Sequence, residues 1–242
     1  MFPPRDVHAF PPSDGGAEFV ADDGSGAEGP GGQGDGRREE MLRAALVVIA
    51  ERGFADTRIA DVAERAGTSP ALVIYYFQTK DNLLTEAVRL AEDLWYDYGY
   101  RRMSAVVGAA ARLEEMISTN FTPPEEVGFP DLGALWVDLW ARSLRHVEVA
   151  RVREEFDARW RHVLSDVVDE GQSAGEFATV DTREFASALS ALLDGLSVQL
   201  VLGDPSLDPP SAVRIAMDFA AARLGFSWSA PPAPSPPPAP GT

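Results

Sequence analysis

Through most of the chain the apolar positions recur every three to four residues, and almost nowhere in alternation. From Arg38 to Arg52, Leu42, Ala45, Leu46 and Ile49 fall on one helical face, and Gly53 stops the helix. A second helix is predicted over Arg58–Ala66, with Thr57 as N-cap and Ile59, Val62, Ala63 and Ala66 along one side. Gly67-Thr68-Ser69 reads as a tight turn; Ser69 can cap a third helix over Pro70–Phe77, whose first position suits a proline because no N–H is needed there. Thr79 can cap a fourth helix over Lys80–Met103, with Leu84, Ala87, Val88, Ala91, Leu94, Trp95 and Tyr98 on its apolar side. Further helices are predicted near Ala105–Asn120, Asp131–Arg145, Val147–Gly171, Thr182–Leu202 and Pro210–Leu224, about nine in total. Breaks fall at Pro123-Pro124, Gly128-Phe129-Pro130, Gly175 and Gly203-Asp204-Pro205. No segment carries a strand or hairpin pattern, so the fold class is all-α.

The two ends depart from this pattern. Residues 1–36 are rich in Gly, Pro and Asp and read as a disordered extension, and residues 228–242 as a disordered Pro-rich tail. Between them the pattern suggests a DNA-binding unit over 37–83 and a helical ligand-binding and dimerisation unit over 84–227. The formal net charge is -17, which argues against indiscriminate coating of nucleic acid. The acidic excess lies outside residues 37–83, where acidic and basic residues balance. Any DNA contact there must come from local geometry and a few well-placed groups. There is no cysteine, hence no disulfide or thiolate metal site. Apolar runs such as Ala44–Ala50 are too short to cross a bilayer, no secretory signal is evident, and a cytoplasmic location with no membrane partner is expected.

Two short helices joined by a tight glycine-containing turn form a helix-turn-helix, whose second helix enters the major groove by its N-terminal end. Helix termini carry free backbone N–H groups and a partial positive charge, so a segment of zero net charge can still dock on a polyanion.

These residues also form a recognisable run. Gly53-Phe54-Ala55-Asp56-Thr57-Arg58-Ile59, Val62-Ala63-Glu64-Arg65-Ala66-Gly67-Thr68-Ser69 and Tyr75-Tyr76-Phe77-Gln78-Thr79-Lys80-Asp81-Asn82-Leu83-Leu84 closely resemble the signature of the TetR family of transcriptional regulators. The resemblance implies that Thr57 and Arg58 touch phosphates. It implies that Thr68, Ser69, Pro70, Ala71, Leu72, Ile74 and Tyr76 face the groove, and that Tyr75 and Lys80 grip the backbone. Ile74 stands where the family often has tyrosine, and Tyr76 where histidine is common. Pro70, Ala71 and Leu72 lack polar reading groups, so thymine methyls and DNA shape should carry much of the specificity.

The C-terminal part resembles the subgroup typified by the choline-responsive repressor of betaine synthesis, through Trp136-x-x-x-Trp140, Arg159-Trp160, Gly175-Glu176-Phe177 and Leu192-Leu193-Asp194-Gly195-Leu196. Trp136 and Trp140 share a helix face, Phe156 and Trp160 form another, and Trp95 and Tyr98 add aromatic area; together they are candidates for an effector site. Aromatic faces with nearby carboxylates suit a cation, with Asp138 and Glu115 as candidate carboxylates; a lipophilic effector is the other option. The last two helices are expected to pair with their two-fold mates through Phe185, Leu189, Leu192, Leu193, Leu196, Leu200, Val213, Met217 and Ala220. The implied function is a homodimeric repressor released from a palindromic operator by a small effector. The fourth helix would be its lever.

An enzyme is not expected. The three histidines are scattered, no phosphate loop follows a strand, and no metal-ligand cluster or cofactor motif is present. The acidic balance leaves one alternative, a helical binding module without specific DNA affinity.

Overall fold

The computed structural model describes residues 32–122 and 132–230. These hold nine helices and no strand. The predicted breaks at Pro123-Pro124 and Gly128-Phe129-Pro130 and the extended readings of 1–31 and 231–242 lie outside the described residues.

Helix α1 (Gly32–Asp56) starts earlier than its apolar pattern does: the glycine-rich 32–36 segment, read as disordered, is its first turn. Asp35 there suits the positive end of the helix dipole. Gly53 breaks the helix as predicted, with φ 75° and ψ 166°, a conformation that costs a side chain dearly. Helices α2 (Ile59–Arg65) and α3 (Pro70–Phe77) cross at the Gly67 turn, where φ is 61°. Ser69 caps α3, its Oγ accepting from Leu72 N at 3.2 Å, and Thr79 caps α4 (Lys80–Ser104) by accepting from Asn82 N at 3.1 Å. Each such cap is worth about 1 kcal/mol.

Beyond α4 come α5 (Ala109–Phe121), α6 (Leu132–Ser143), α7 (Val147–Ser173), α8 (Thr182–Val201) and α9 (Pro209–Leu224). The fifth helix begins later than predicted, because Gly108 turns the chain at φ 95°. The Glu176 carboxylate then accepts from Ala109 N and Ala110 N at 2.9 and 3.3 Å, a cap supplied from 66 residues away. Glycine is required at Gly171, where an added Cβ would lie 2.2 Å from the Phe177 ring.

Two hydrophobic cores result. One joins α1–α3 and the first half of α4 to Leu135 and Leu139 of α6 and Val152 and Phe156 of α7. The other joins the second half of α4 to α5, α8, α9 and the C-terminal half of α7. Trp228 and Phe226 pack against this second core, Phe226 lying 5.1 Å from Phe177, so the packed chain runs past the expected boundary at 227. The division expected near residue 84 falls inside α4, which serves both cores.

Candidate DNA interface and effector cavity

The helix-turn-helix presents a mixed surface. On α3, Val73 and Phe77 are buried, while Ile74 is 48% and Tyr75 77% exposed. Pro70, Ala71 and Ser69 are exposed at its N-terminus; Thr68, Leu72 and Tyr76 are half-buried, and the Tyr76 ring meets Tyr75 edge-on at 5.5 Å. Arg58 is exposed and pairs with no carboxylate among the described residues. By contrast, Arg52 and Arg65 are used internally, bonding Asp61 and Glu51 to staple α1 onto α2.

Two residues expected at phosphates also bond within the chain. Thr57 is 1% exposed, and its Oγ1 donates to Gly53 O at 2.7 Å, so its side chain ties the α1 break together and offers DNA nothing. Nor is it the cap of α2; that position is Arg58, which makes no side-chain cap bond. Lys80 Nζ donates to Ala55 O at 2.9 Å, tying the start of α4 to the last turn of α1 with one of its three donors. It holds the helix-turn-helix on α4.

A cavity of about 720 Å³ opens where the two cores meet. Five predicted aromatics line it: Trp95 from α4, Trp136 and Trp140 from α6, Phe156 and Trp160 from α7. Trp95 and Trp160 lie 5.4 Å apart at 56°, and Trp136 meets Phe156 edge-on at 5.5 Å. Tyr98 does not line it; it turns to the outer side of α4, under the Arg101 guanidinium at 6.0 Å. Its place is taken by Tyr96, one turn after Glu92.

The carboxylates are also different from those expected. Asp138 accepts from Phe54 N at 2.7 Å, and Glu115 pairs with Arg102 at 2.8 Å; neither reaches the cavity. Glu92, Asp157 and Asp194 do. Glu92 is 6% exposed, and burial pushes its carboxyl up to about 8, against the opposing pull of Arg159 at 3.8 Å. Burial also pushes Asp194 up to about 6 and raises Asp157. The sequence held a signal for two of them: Glu92 lies three residues before Trp95, hence on its face, and Asp194 is an acid inside the apolar run Phe185–Val201. Among the described residues no group of side chains has the composition of a metal site.

Helix α6 connects the cavity to the DNA-binding helices. Trp136 and Trp140 face the cavity, while Asp138 holds Phe54 N and Arg142 stacks over the Phe54 ring at 5.5 Å and bonds Asp81 at 3.3 Å.

The expected dimer residues divide. Phe185, Leu189, Leu193, Leu196, Met217 and Ala220 are buried within the chain, as is Leu224, so they are core and unavailable to a partner. Leu200 lines the cavity, and Leu192 and Val213 are half-buried. The outward stripe of α8 is instead Ala188, Ala191, Gly195, Val198 and Leu202, the last 75% exposed.

Comparison with known proteins agrees with this architecture. Residues 41–87 match the family model of tetR-family bacterial regulatory proteins, and residues 109–225 match that of the BetI-type transcriptional repressor C-terminal domain. The regulator BetI of Paraburkholderia phymatum is 30% identical over 184 residues, covering 76% of this chain and 90% of its own; that of Burkholderia lata is 31% identical over the same length. Among solved structures, a transcriptional regulator from Saccharomonospora viridis in complex with choline superposes with a TM-score of 0.70 at 27% identity, covering 78% of this chain and 98% of its own. A TetR regulator from Haloarcula marismortui gives 0.70 at 25% identity, covering 78% of this chain and 99% of its own. The chain is a transcriptional regulator and belongs to the TetR family of bacterial regulatory proteins.

Proposed function

We propose that this regulator is a homodimeric repressor that leaves its operator when an organic cation enters the cavity. The observation that carries the reading is Glu92: a carboxyl nine-tenths buried, lining a cavity walled by tryptophans. Such a group is costly when ionised without a full counter-charge, and the cation that pairs with it, Arg159 at 3.8 Å, is also bonded to Asp93 at 2.8 Å. A quaternary ammonium meets both needs, because aromatic faces attract it while the carboxylate neutralises it. The Saccharomonospora relative binds choline, and its 27% identity supports the same ligand chemistry here.

DNA contact is assigned to the α3 N-terminus with Ile74, Tyr75 and Tyr76, to Arg58, and to the backbone N–H groups beside Ser69. The exposed side chains Ile74 and Tyr75 favour readout through thymine methyls and groove shape over bidentate purine contacts. The dimer face is assigned to the outward stripe of α8. That helix is apolar along most of its length, yet only a third of its apolar stretch is buried within the chain. A second copy, packed across Gly195, covers the outward stripe and sets the two recognition helices about 34–36 Å apart, or a multiple of that.

The two sites communicate through α4 and α6. An effector that draws Trp136 and Trp140 inward moves Asp138 and Arg142, which hold Phe54. It lowers operator affinity by the difference between its affinities for the two arrangements. The test is a gel shift on the DNA upstream of the protein's own gene at stated salt, with choline and longer alkyl trimethylammonium ions added while tryptophan fluorescence is followed. Saturable quenching together with release of the DNA is expected. Binding to no fragment at low salt, or operator binding indifferent to every cation, overturns the proposal.

A further inference from the structure

The cavity is much larger than a choline-sized ion requires, and its two sides differ in chemistry. At about 720 Å³ it falls in the range of sites for drug-sized ligands. The side built by α4, α6 and α7 is aromatic, with Glu92 set among the rings. The side built by α8 has no ring at all: Ser190, Asp194 and Ser197 recur there at i, i+4 and i+7, flanked by Leu193, Leu200 and Val201.

Ser190 is the independent sign that this second side receives a ligand group. It is 8% exposed and lines the cavity, and its Oγ, itself shielded from solvent, has no hydrogen-bond partner among the described residues. A buried hydroxyl is nearly always bonded, and a helical serine has its own i−4 carbonyl within reach, which Ser190 leaves unused. Its neighbour Ser197 is already held, accepting from Asn120 Nδ2 at 3.1 Å. Asp194, one turn on from Ser190, makes no ion pair among the described residues.

The two acidic poles are separate. Glu92 stands on α4, buried, with Arg159 at 3.8 Å, whereas Asp194 stands on α8 and is exposed.

We propose that the effector is a two-headed organic cation, an alkylated ammonium at one end and a primary ammonium at the other. The first sits in the ring cage beside Glu92, and the second bonds Ser190 Oγ and the Asp194 carboxylate on α8. A primary ammonium suits the α8 side because it donates three hydrogen bonds, which a ring-free wall of hydroxyl and carboxylate oxygens accepts and a quaternary group cannot use. This rests on reading the cavity as a cation site and extends it to a second charge.

The test compares 5-aminopentyl-trimethylammonium with pentyl-trimethylammonium, equal in chain and cage group, by tryptophan quenching and calorimetry on the full chain. The diamine is expected to bind at least roughly tenfold tighter. In Asp194→Asn and Ser190→Ala, two small changes checked by thermal melting, that ratio is expected to fall towards one. In Glu92→Gln, affinity for both compounds falls together. Equal affinity for the two compounds, or a ratio that survives both α8 substitutions, overturns the second pole while leaving the cation site standing. Failure of both compounds to bind overturns the two readings together.

Discussion

Asp138 on α6 accepts a hydrogen bond from the backbone N–H of Phe54 at 2.7 Å, across 84 residues of sequence. The bond falls just after Gly53, where α1 leaves helical geometry. Two residues before Asp138 and two after it, Trp136 and Trp140 line the cavity. One short helix thus carries a wall of the cavity on one side and a side-chain acceptor for the Phe54 N–H on the other.

Asp138→Ala is therefore expected to separate binding from response. Effector affinity, read by tryptophan quenching, stays within about twofold, because Asp138 is not in the cavity wall. The effector concentration needed to release operator rises, and stability falls by about 1–3 kcal/mol through the unsatisfied N–H. Asp138→Asn keeps an acceptor oxygen and restores most of the coupling. Unaltered release in the alanine variant would show that α6 is not the link.

Effector affinity should rise with pH. Burial holds Glu92 at about 8 in the folded chain, against 4.5 for the free group. A cation is bound by the ionised form, of which about a tenth is present at pH 7. Affinity at pH 9 should exceed that at pH 7 by about tenfold, and Glu92→Gln should abolish the rise. Stability without effector runs the opposite way. The folded chain holds a proton that the unfolded chain loses, so the contribution of Glu92 is full below pH 4.5 and is lost as pH rises through 8. Melting temperatures between those limits, with and without a cation, test both signs.

How much of this was legible depended on how local each feature is. Ser69 and Thr79 cap helices whose partner N–H groups are three residues away, so the sequence alone predicts both. Gly53 ends α1 for a reason internal to one residue. The Glu176 cap on α5 spans 66 residues and leaves no local mark. Thr57 looks like a cap by position, yet a carbonyl four residues earlier takes its hydroxyl. The helical pattern locates the apolar face of α8. It does not say that the chain's own core takes Phe185, Leu189 and Leu193, so that the exposed stripe lies on the opposite side.

Arg58→Ala should weaken operator binding without regard to sequence. The side chain is exposed and unpaired with any described carboxylate, so stability changes by no more than about 0.5 kcal/mol. Loss of one phosphate contact reduces the slope of log affinity against log salt by about 1. An unchanged slope removes Arg58 from the interface.

Gly171→Ala should be disruptive although it adds one methyl group. That carbon would stand 2.2 Å from the Phe177 ring and 2.8 Å from the Ala109 Cβ, where α5 and α7 meet. Overpacking of this kind costs about 1–3 kcal/mol. Chemical denaturation measures it, and a loss under about 0.5 kcal/mol means that the Phe177 ring moves aside freely.

Gly195 gives two substitutions of opposite sign. It sits mid-helix on the exposed side of α8, and an added Cβ would meet nothing of its own chain within 4 Å. Within one chain, alanine there is favoured by about 1 kcal/mol of helix propensity. A glutamate has the same open space in the monomer, but in a dimer packed across this stripe it and its two-fold mate would bring two carboxylates together in an apolar seam. Sedimentation should find the wild type and Gly195→Ala as dimers and Gly195→Glu as a folded monomer. Operator binding is lost with the dimer, because a lone recognition helix reads only one half-site. A dimer that persists in Gly195→Glu would place the two-fold contact away from the outward face of α8.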